Sequence, residues 1–109
     1  MAQTLNPPVT SPSTFTTERE EHEKLYRVVL LDDDDHTYDY VIEMLQKIFV
    51  FTLEEAYRHA EEVDSCGRTV LITCEKPQAE FARDQILSYG ADWRLDRSKG
   101  SMSAVVEPV

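Results

Sequence analysis

The feature that most restricts the fold is an apolar run, Val28 to Leu31, followed at once by four aspartates, Asp32 to Asp35. An apolar run bounded by charge is typical of a strand that is covered on both faces. The next residues, HTYDYVIEMLQKIF, place apolar side chains three and four positions apart, which is the spacing of an amphipathic helix. The chain therefore concentrates negative charge at a strand–helix junction, although runs of like charge usually occur in solvated tails.

Capping signals mark the starts of the first two helices. Thr37 is predicted to be the N-cap of the first helix, and Asp39 in its first turn suits the helix dipole. Thr52 and Glu55 have the spacing of a capping box, which predicts a second helix over TLEEAYRHAEEVD. The apolar stripe of this second helix is predicted to consist of Leu53, Ala56, Ala60 and Val63.

The rest of the pattern adds two strands and one helix. Gly67 breaks the chain before RTVLITC, a predicted strand, while Pro77 and Gly90 suit the first turn and the end of a third helix. The stripe of that helix is Ala79, Ala82, Ile86 and Tyr89. Residues 91–101 are predicted to be a loop or an irregular edge, and residues 102–107 a short strand. The order β-α-α-β-α-β predicts an α+β fold, a two-layer sandwich of a three-stranded antiparallel sheet with three helices on one face.

Composition separates an N-terminal segment from this domain. Residues 1–24 combine a stretch rich in Thr, Ser and Pro with the charged run EREEHEK, and they contain few aliphatic side chains. Such a segment cannot form a core, so we predict a disordered extension followed by one domain over residues 25–109. No apolar stretch is long enough to cross a bilayer and no secretory signal is recognisable, so the cytoplasm is the expected compartment.

The charge of the chain restricts its partners. A net charge of −10 argues against nucleic acid and anionic membrane surfaces, because both need clustered Lys and Arg. It favours a cationic partner or a metal ion. There is no recognisable nucleophile motif or glycine-rich phosphate loop, and His22 and His59 are expected to be solvated. We therefore predict neither an enzyme nor a bound cofactor.

The residues alone leave several interpretations of the acidic run open. Asp32 to Asp35 with His36 could ligate magnesium or calcium in a small regulatory domain, although consecutive strand residues point to opposite faces. The run could also be a solvated, helix-capping turn on a protein–protein docking domain, like the C-terminal domain of a ribosomal stalk protein. A third interpretation is a binding site for a cation that carries an apolar group, as the N-terminus of a polypeptide does.

The chain also resembles the ClpS family, the adaptors of bacterial Clp proteases. The resemblance is carried by YRVVLLDDDDHTYDYVIEMLQKIF, by AEEVDSCGRTVLITC and by QAEFARDQILSYG. It implies an adaptor of the N-end rule, which binds substrates whose first residue is Leu, Phe, Tyr or Trp. Such an adaptor delivers its substrates to the N-terminal domain of a ClpA- or ClpC-type AAA+ unfoldase, and its flexible N-terminal extension engages that unfoldase.

The resemblance further implies a degron site made of eight residues. The α-amino group would be held by Asp32, Asp33, Asp34 and Asp64, where the family has Asn-Asp-Asp and His. The pocket for the first side chain would be formed by Tyr38, at the gating Met position, with Val41, Val63 and Met102. The changes of Asn and His to Asp keep an acceptor and add negative charge, which suits an ammonium group. In the empty site, crowded carboxylates should raise one another's pKa values.

Overall fold

The computed structural model describes residues 24–109 and contains six elements in the predicted order. These elements are β1 (Leu25–Leu31), α1 (Tyr38–Phe49), α2 (Leu53–Cys66), β2 (Arg68–Glu75), α3 (Lys76–Leu87) and β3 (Ser103–Pro108). The predicted disorder of residues 1–24 and the predicted exposure of His22 lie outside the described residues, apart from Lys24. Within the described part, no helix is both long enough and apolar enough to cross a membrane.

The strands form one antiparallel sheet with β1 at its centre. The order is β2-β1-β3, and Leu31 at the end of β1 is paired with Arg68 on one side and Ser103 on the other. Val28 and Leu30 are fully buried in a core cluster that includes residues from all three helices. The predicted α+β sandwich, with the helices on one face of the sheet, is therefore confirmed.

The face of the sheet that is turned away from the helices is shielded from solvent by side chains of the strands themselves. Val29 is fully buried, and its partners in register are Val70 and Val105, which are more exposed. Arg68 Nη2 and Glu107 Oε1 form a 2.7 Å salt bridge between the two outer strands, which must pass over β1. The apolar centre of this face thus lies beneath a charged surface.

Both predicted helix caps are present. Thr37 Oγ1 accepts a hydrogen bond from the N–H of Tyr40 at 3.1 Å. Thr52 Oγ1 accepts from the N–H of Glu55 at 3.0 Å, and Glu55 Oε1 accepts from the N–H of Thr52 at 2.9 Å, which completes the capping box. Gly67 ends α2 with a φ of 86°, a left-handed conformation that glycine adopts readily.

Two predictions about exposure on α2 are wrong. Leu53, predicted to face the core, is 62% exposed, because the buried stripe begins one turn later at Ala56. His59, predicted to be solvated, is half-buried: its Nδ1 lies 2.8 Å from Thr69 Oγ1 and its ring stacks on Phe51. This burial lowers the pKa of His59. Sequence periodicity misses these contacts because Phe51 and Thr69 lie outside the helix.

The sequence predicts that the third helix ends at Gly90, but in the structure it ends at Leu87, before Ser88. The hydroxyl of Ser88 donates to the carbonyl of Asp84 at 2.9 Å, and this local bond competes with continuation of the helix. Tyr89 therefore lies outside the helix, but its ring packs edge-on against that of Tyr40 with centroids 5.5 Å apart. It still belongs to the rim of the core.

Candidate functional site

The acidic run forms a hydrogen-bonded turn between β1 and α1. The N–H of Asp32 donates to the carbonyl of Gly67 at 3.0 Å, which ties the end of β1 to the end of α2. Asp33 Oδ1 accepts from the N–H of Asp35 at 2.8 Å and so bends the chain away from the strand direction. Asp32 and Asp34 are exposed, whereas Asp33 is half-buried. Because the backbone turns, these carboxylates do not alternate across the sheet as they would in a strand.

Tyr38 and Asp64 connect the start of α1 to the last turn of α2. The hydroxyl of Tyr38 donates to Asp64 Oδ2 at 3.1 Å, and the ring of Tyr38 packs edge-on against Tyr57. Desolvation and the hydrogen bond to the Asp64 carboxylate raise the pKa of Tyr38. One carboxylate oxygen of Asp64 is therefore already engaged by a side chain of the protein.

Negative charge accumulates around Asp32. Desolvation raises the pKa of Asp32, and the charges of Asp64, Asp33 and Asp34 raise it further, whereas a hydrogen bond from the backbone of Asp33 lowers it. The turn and the end of α2 therefore place three carboxylates close enough to Asp32 to disfavour its ionised form. The direction of the pKa shift at Asp32 agrees with the repulsion expected from the sequence, although desolvation is the larger cause.

Only some of these carboxylates have an arginine or histidine nitrogen as a neighbour. Arg97 Nε lies 3.3 Å from Asp35 Oδ1, and His36 Nδ1 lies 2.8 Å from Asp33 Oδ1. Among residues 24–109, no Lys, Arg or His nitrogen comes within salt-bridge distance of the other three carboxylates, which are those of Asp32, Asp34 and Asp64. The region therefore suits a ligand that brings a positive charge.

The apolar residues predicted to form the pocket lie beneath this region. Val41 follows Tyr38 by one turn of α1, and Val63 directly precedes Asp64 on α2. Val41, Val63 and Met102 are each at most 4% exposed and belong to the main core, whereas Tyr38 is 37% exposed. In this structure the three predicted wall residues are therefore packed within the core.

The segment 91–101 contributes a buried carboxylate that sequence reasoning missed. Asp92 Oδ2 accepts hydrogen bonds of 2.8 Å from the N–H and the hydroxyl of Thr37, and Asp92 Oδ1 accepts from the N–H and the guanidinium of Arg94. Burial alone would raise the pKa of Asp92, but these four hydrogen bonds lower it to about 2. Asp92 therefore holds the N-cap of α1 from a loop that lies more than fifty residues away in the chain.

The same segment contacts the acidic turn at two more points. Arg97 Nε donates to the carbonyl of Asp34 at 2.8 Å, and the carbonyl of Gly100 lies 2.7 Å from His36 Nε2. The side chain of His36 is only 4% exposed. The sequence indicated His36 only as a possible metal ligand, because a contact with a distant, aperiodic loop leaves no local signal.

The geometry does not support the metal-binding interpretation. Within residues 24–109, no group of three or more His, Cys, Asp or Glu side chains is arranged to hold a metal ion. An open groove of about 480 Å³ lies elsewhere, along α2, and none of the predicted degron residues lines it. Its lining residues are Arg58, His59, Glu61, Glu62, Ser65 and Cys66.

Comparison with known proteins finds one family. The family model described as ATP-dependent Clp protease adaptor protein ClpS matches residues 21–93. The chain is 29% identical over 72 residues to the Clp protease adapter ClpS 2 of Rhizobium meliloti (strain 1021), which covers 66% of this chain and 71% of that protein. It is 41% identical over 58 residues to ClpS of Campylobacter jejuni (strain RM1221), covering 51% of this chain and 60% of the relative.

A solved structure has the same fold. The chain superposes on Agrobacterium tumefaciens ClpS2 bound to L-phenylalaninamide with a TM-score of 0.68. The superposition covers 79% of this chain and 98% of that protein, at 24% sequence identity. At this identity the likeness establishes the fold, including the order of strands and helices that brings the acidic turn to the end of α2.

We predict that Asp92→Asn destabilises the protein and flattens its response to acid. A carboxyl whose pKa falls from 3.8 to about 2 on folding stabilises the folded state above about pH 4, and this stabilisation is lost as the pH falls toward 2. The shift corresponds to about 2 kcal/mol in the free energy of unfolding at pH 7. Urea unfolding between pH 2 and 7 measures both effects.

The matched control is Asp96→Asn, which removes an exposed carboxyl from the same segment. It should leave the free energy of unfolding at pH 7 nearly unchanged. If Asp92→Asn were as stable as the wild type at pH 7 and lost stability equally in acid, Asp92 would not hold the N-cap of α1.

Proposed function

The chain belongs to the ClpS family of Clp protease adaptors, and we propose that it binds proteins through their N-terminal residue and delivers them to a ClpA- or ClpC-type AAA+ unfoldase. In this role the protein is an adaptor and performs no catalysis itself. One observation carries the proposal: Asp32, Asp34 and Asp64 have no cationic partner among residues 24–109, and Asp64 accepts a hydrogen bond from Tyr38 at the start of α1.

An α-ammonium group would supply the charge that this region lacks. It has three N–H donors, and the carboxylates of Asp32, Asp34 and Asp64 offer acceptors. Hydrogen bonds between ionised partners are stronger than bonds between neutral groups. Binding would also relieve the repulsion that contributes to the raised pKa of Asp32. A free N-terminus is therefore favoured over a neutral one.

The first side chain of the substrate would enter beside Tyr38. We propose Val41, Val63 and Met102 as the walls of this pocket, since two of them adjoin Tyr38 and Asp64 on their helices. Apolar walls favour Leu, Phe, Tyr or Trp as the first residue. The ligand of Agrobacterium tumefaciens ClpS2, L-phenylalaninamide, supports the same class, because it combines a free amino group with an aromatic side chain.

Delivery would use the part of the chain that precedes β1. We propose that residues 1–24, which are rich in Thr, Ser, Pro and charged residues, engage the unfoldase while the folded domain holds the substrate. Fully extended, a segment of this length spans about 80 Å, which is enough to reach a translocation channel from a docked domain.

We predict that a peptide that begins with Leu binds and that the same peptide with an acetylated N-terminus does not. Acetylation removes the positive charge and two donors, and each lost charged hydrogen bond costs about 1.5–3 kcal/mol. Isothermal titration calorimetry with the two peptides tests this difference. Asp64→Asn should weaken binding of the free peptide, whereas Asp96→Asn in the exposed loop should not. Equal binding of both peptides, or no binding of either, would favour a docking domain without a degron site.

A second prediction concerns the bond between Tyr38 and Asp64. In Tyr38→Phe the aromatic ring remains, but the hydroxyl no longer occupies Asp64 Oδ2, which becomes free to accept from the ammonium. The affinity for the Leu peptide should therefore rise severalfold. Tyr57→Phe is the control, because it removes a hydroxyl from the ring that packs against Tyr38 and leaves the bond to Asp64 intact. A weaker affinity of Tyr38→Phe would show that the Tyr38 hydroxyl contacts the ligand.

A further inference from the structure

His36 is buried inside the acidic turn and is bonded on both sides of its ring. Nδ1 lies 2.8 and 3.0 Å from the two carboxylate oxygens of Asp33, and Nε2 lies 2.7 Å from the carbonyl oxygen of Gly100. The ring packs against Tyr40, with centroids 4.5 Å apart, and Tyr40 in turn donates to the carbonyl of Gly90. His36 thus connects the turn, α1 and the segment that follows α3.

The chemistry of its partners determines how many protons the ring needs. A carboxylate and a backbone carbonyl only accept hydrogen bonds, so each ring nitrogen of His36 must donate. Both bonds form together only when the ring is an imidazolium, which then forms an ion pair with Asp33. A neutral ring would leave one nitrogen lone pair facing an acceptor oxygen.

This pair changes the role that can be assigned to Asp33. Both oxygens of Asp33 contact His36, and Oδ1 also accepts from the N–H of Asp35. The carboxylate of Asp33 is therefore occupied by hydrogen bonds within the protein. Asp32 and Asp34, on either side of it, are exposed to solvent. The bond from Arg97 to the carbonyl of Asp34 anchors the turn from the same loop that contains Gly100.

We propose that His36 is a positioning residue for the amino-group site: through Asp33 and Gly100 it fixes the turn so that Asp32 and Asp34 present their carboxylates to the ligand. Asp33 then shapes the site and does not contact the ammonium. This inference rests on the proposed function, because the ligand it concerns is the N-terminus of a substrate.

The test compares three variants of the full chain by calorimetry with the peptide that begins with Leu. His36→Ala removes both bonds, His36→Asn keeps a donor near the position of Nδ1, and His36→Gln keeps a donor near the position of Nε2. We expect His36→Ala to lose at least about tenfold in affinity, and His36→Asn and His36→Gln, each of which keeps one of the two bonds, to lose less. His59→Asn makes the matched change at the other half-buried histidine, away from the turn, and should keep wild-type affinity.

A second readout is independent of any ligand. The amide of Asp35 should exchange its proton with solvent faster in His36→Ala and in His36→Gln than in the wild type, because Asp33 is released. Wild-type affinity in His36→Ala, or unchanged exchange at Asp35, would overturn the positioning role while the proposed function stands. If the wild type itself did not bind the peptide, the proposed function would fail, and the positioning role would fail with it.

Discussion

The fold has to hold four consecutive carboxylates in one tight turn, with a fifth, Asp92, buried next to it. Like charges at this spacing would extend or unfold an isolated chain. The protein compensates for each of three charges with a dedicated partner: His36 for Asp33, Arg97 for Asp35, and the N-cap of α1 together with Arg94 for Asp92. Two of these partners belong to the segment between α3 and β3, so this segment is part of the support of the turn.

The carboxylates that have no such partner among residues 24–109 define the candidate site. Desolvation and the charges of Asp64, Asp33 and Asp34 raise the pKa of Asp32, so its ionised form is less stable here than in water. A protein selected only for stability would remove such charges, whereas a binding site retains them because they attract a cation. The hydrogen bond between Tyr38 and Asp64 joins the start of α1 to the last turn of α2 at the edge of this region.

Local patterns predicted most of the fold, and distant contacts account for what they missed. The caps at Thr37 and Thr52 follow from residues within one helical turn, so the sequence reveals them, as the periodicity of the strands and helices reveals the layers. Asp92 and His36 act across more than fifty residues, through a loop without periodicity, and no local rule detects them. The resemblance to the family predicts Asp33 as one of the ligands of the amino group, and this stays a prediction; the contact of the Asp33 carboxylate with His36 was not expected from the sequence.

The most direct test of the account is an NMR titration of the uniformly ¹⁵N-labelled protein with L-phenylalaninamide, a small ligand that carries both a free amino group and an apolar side chain. We expect saturable changes in the amide signals of Asp32, Asp34, Tyr38 and Asp64, because the ammonium and the ring would enter between the acidic turn, α1 and the end of α2. Changes confined to the groove near Arg58 and Glu62, or no saturable change at all, would contradict the assignment of this region as the binding site for N-terminal residues.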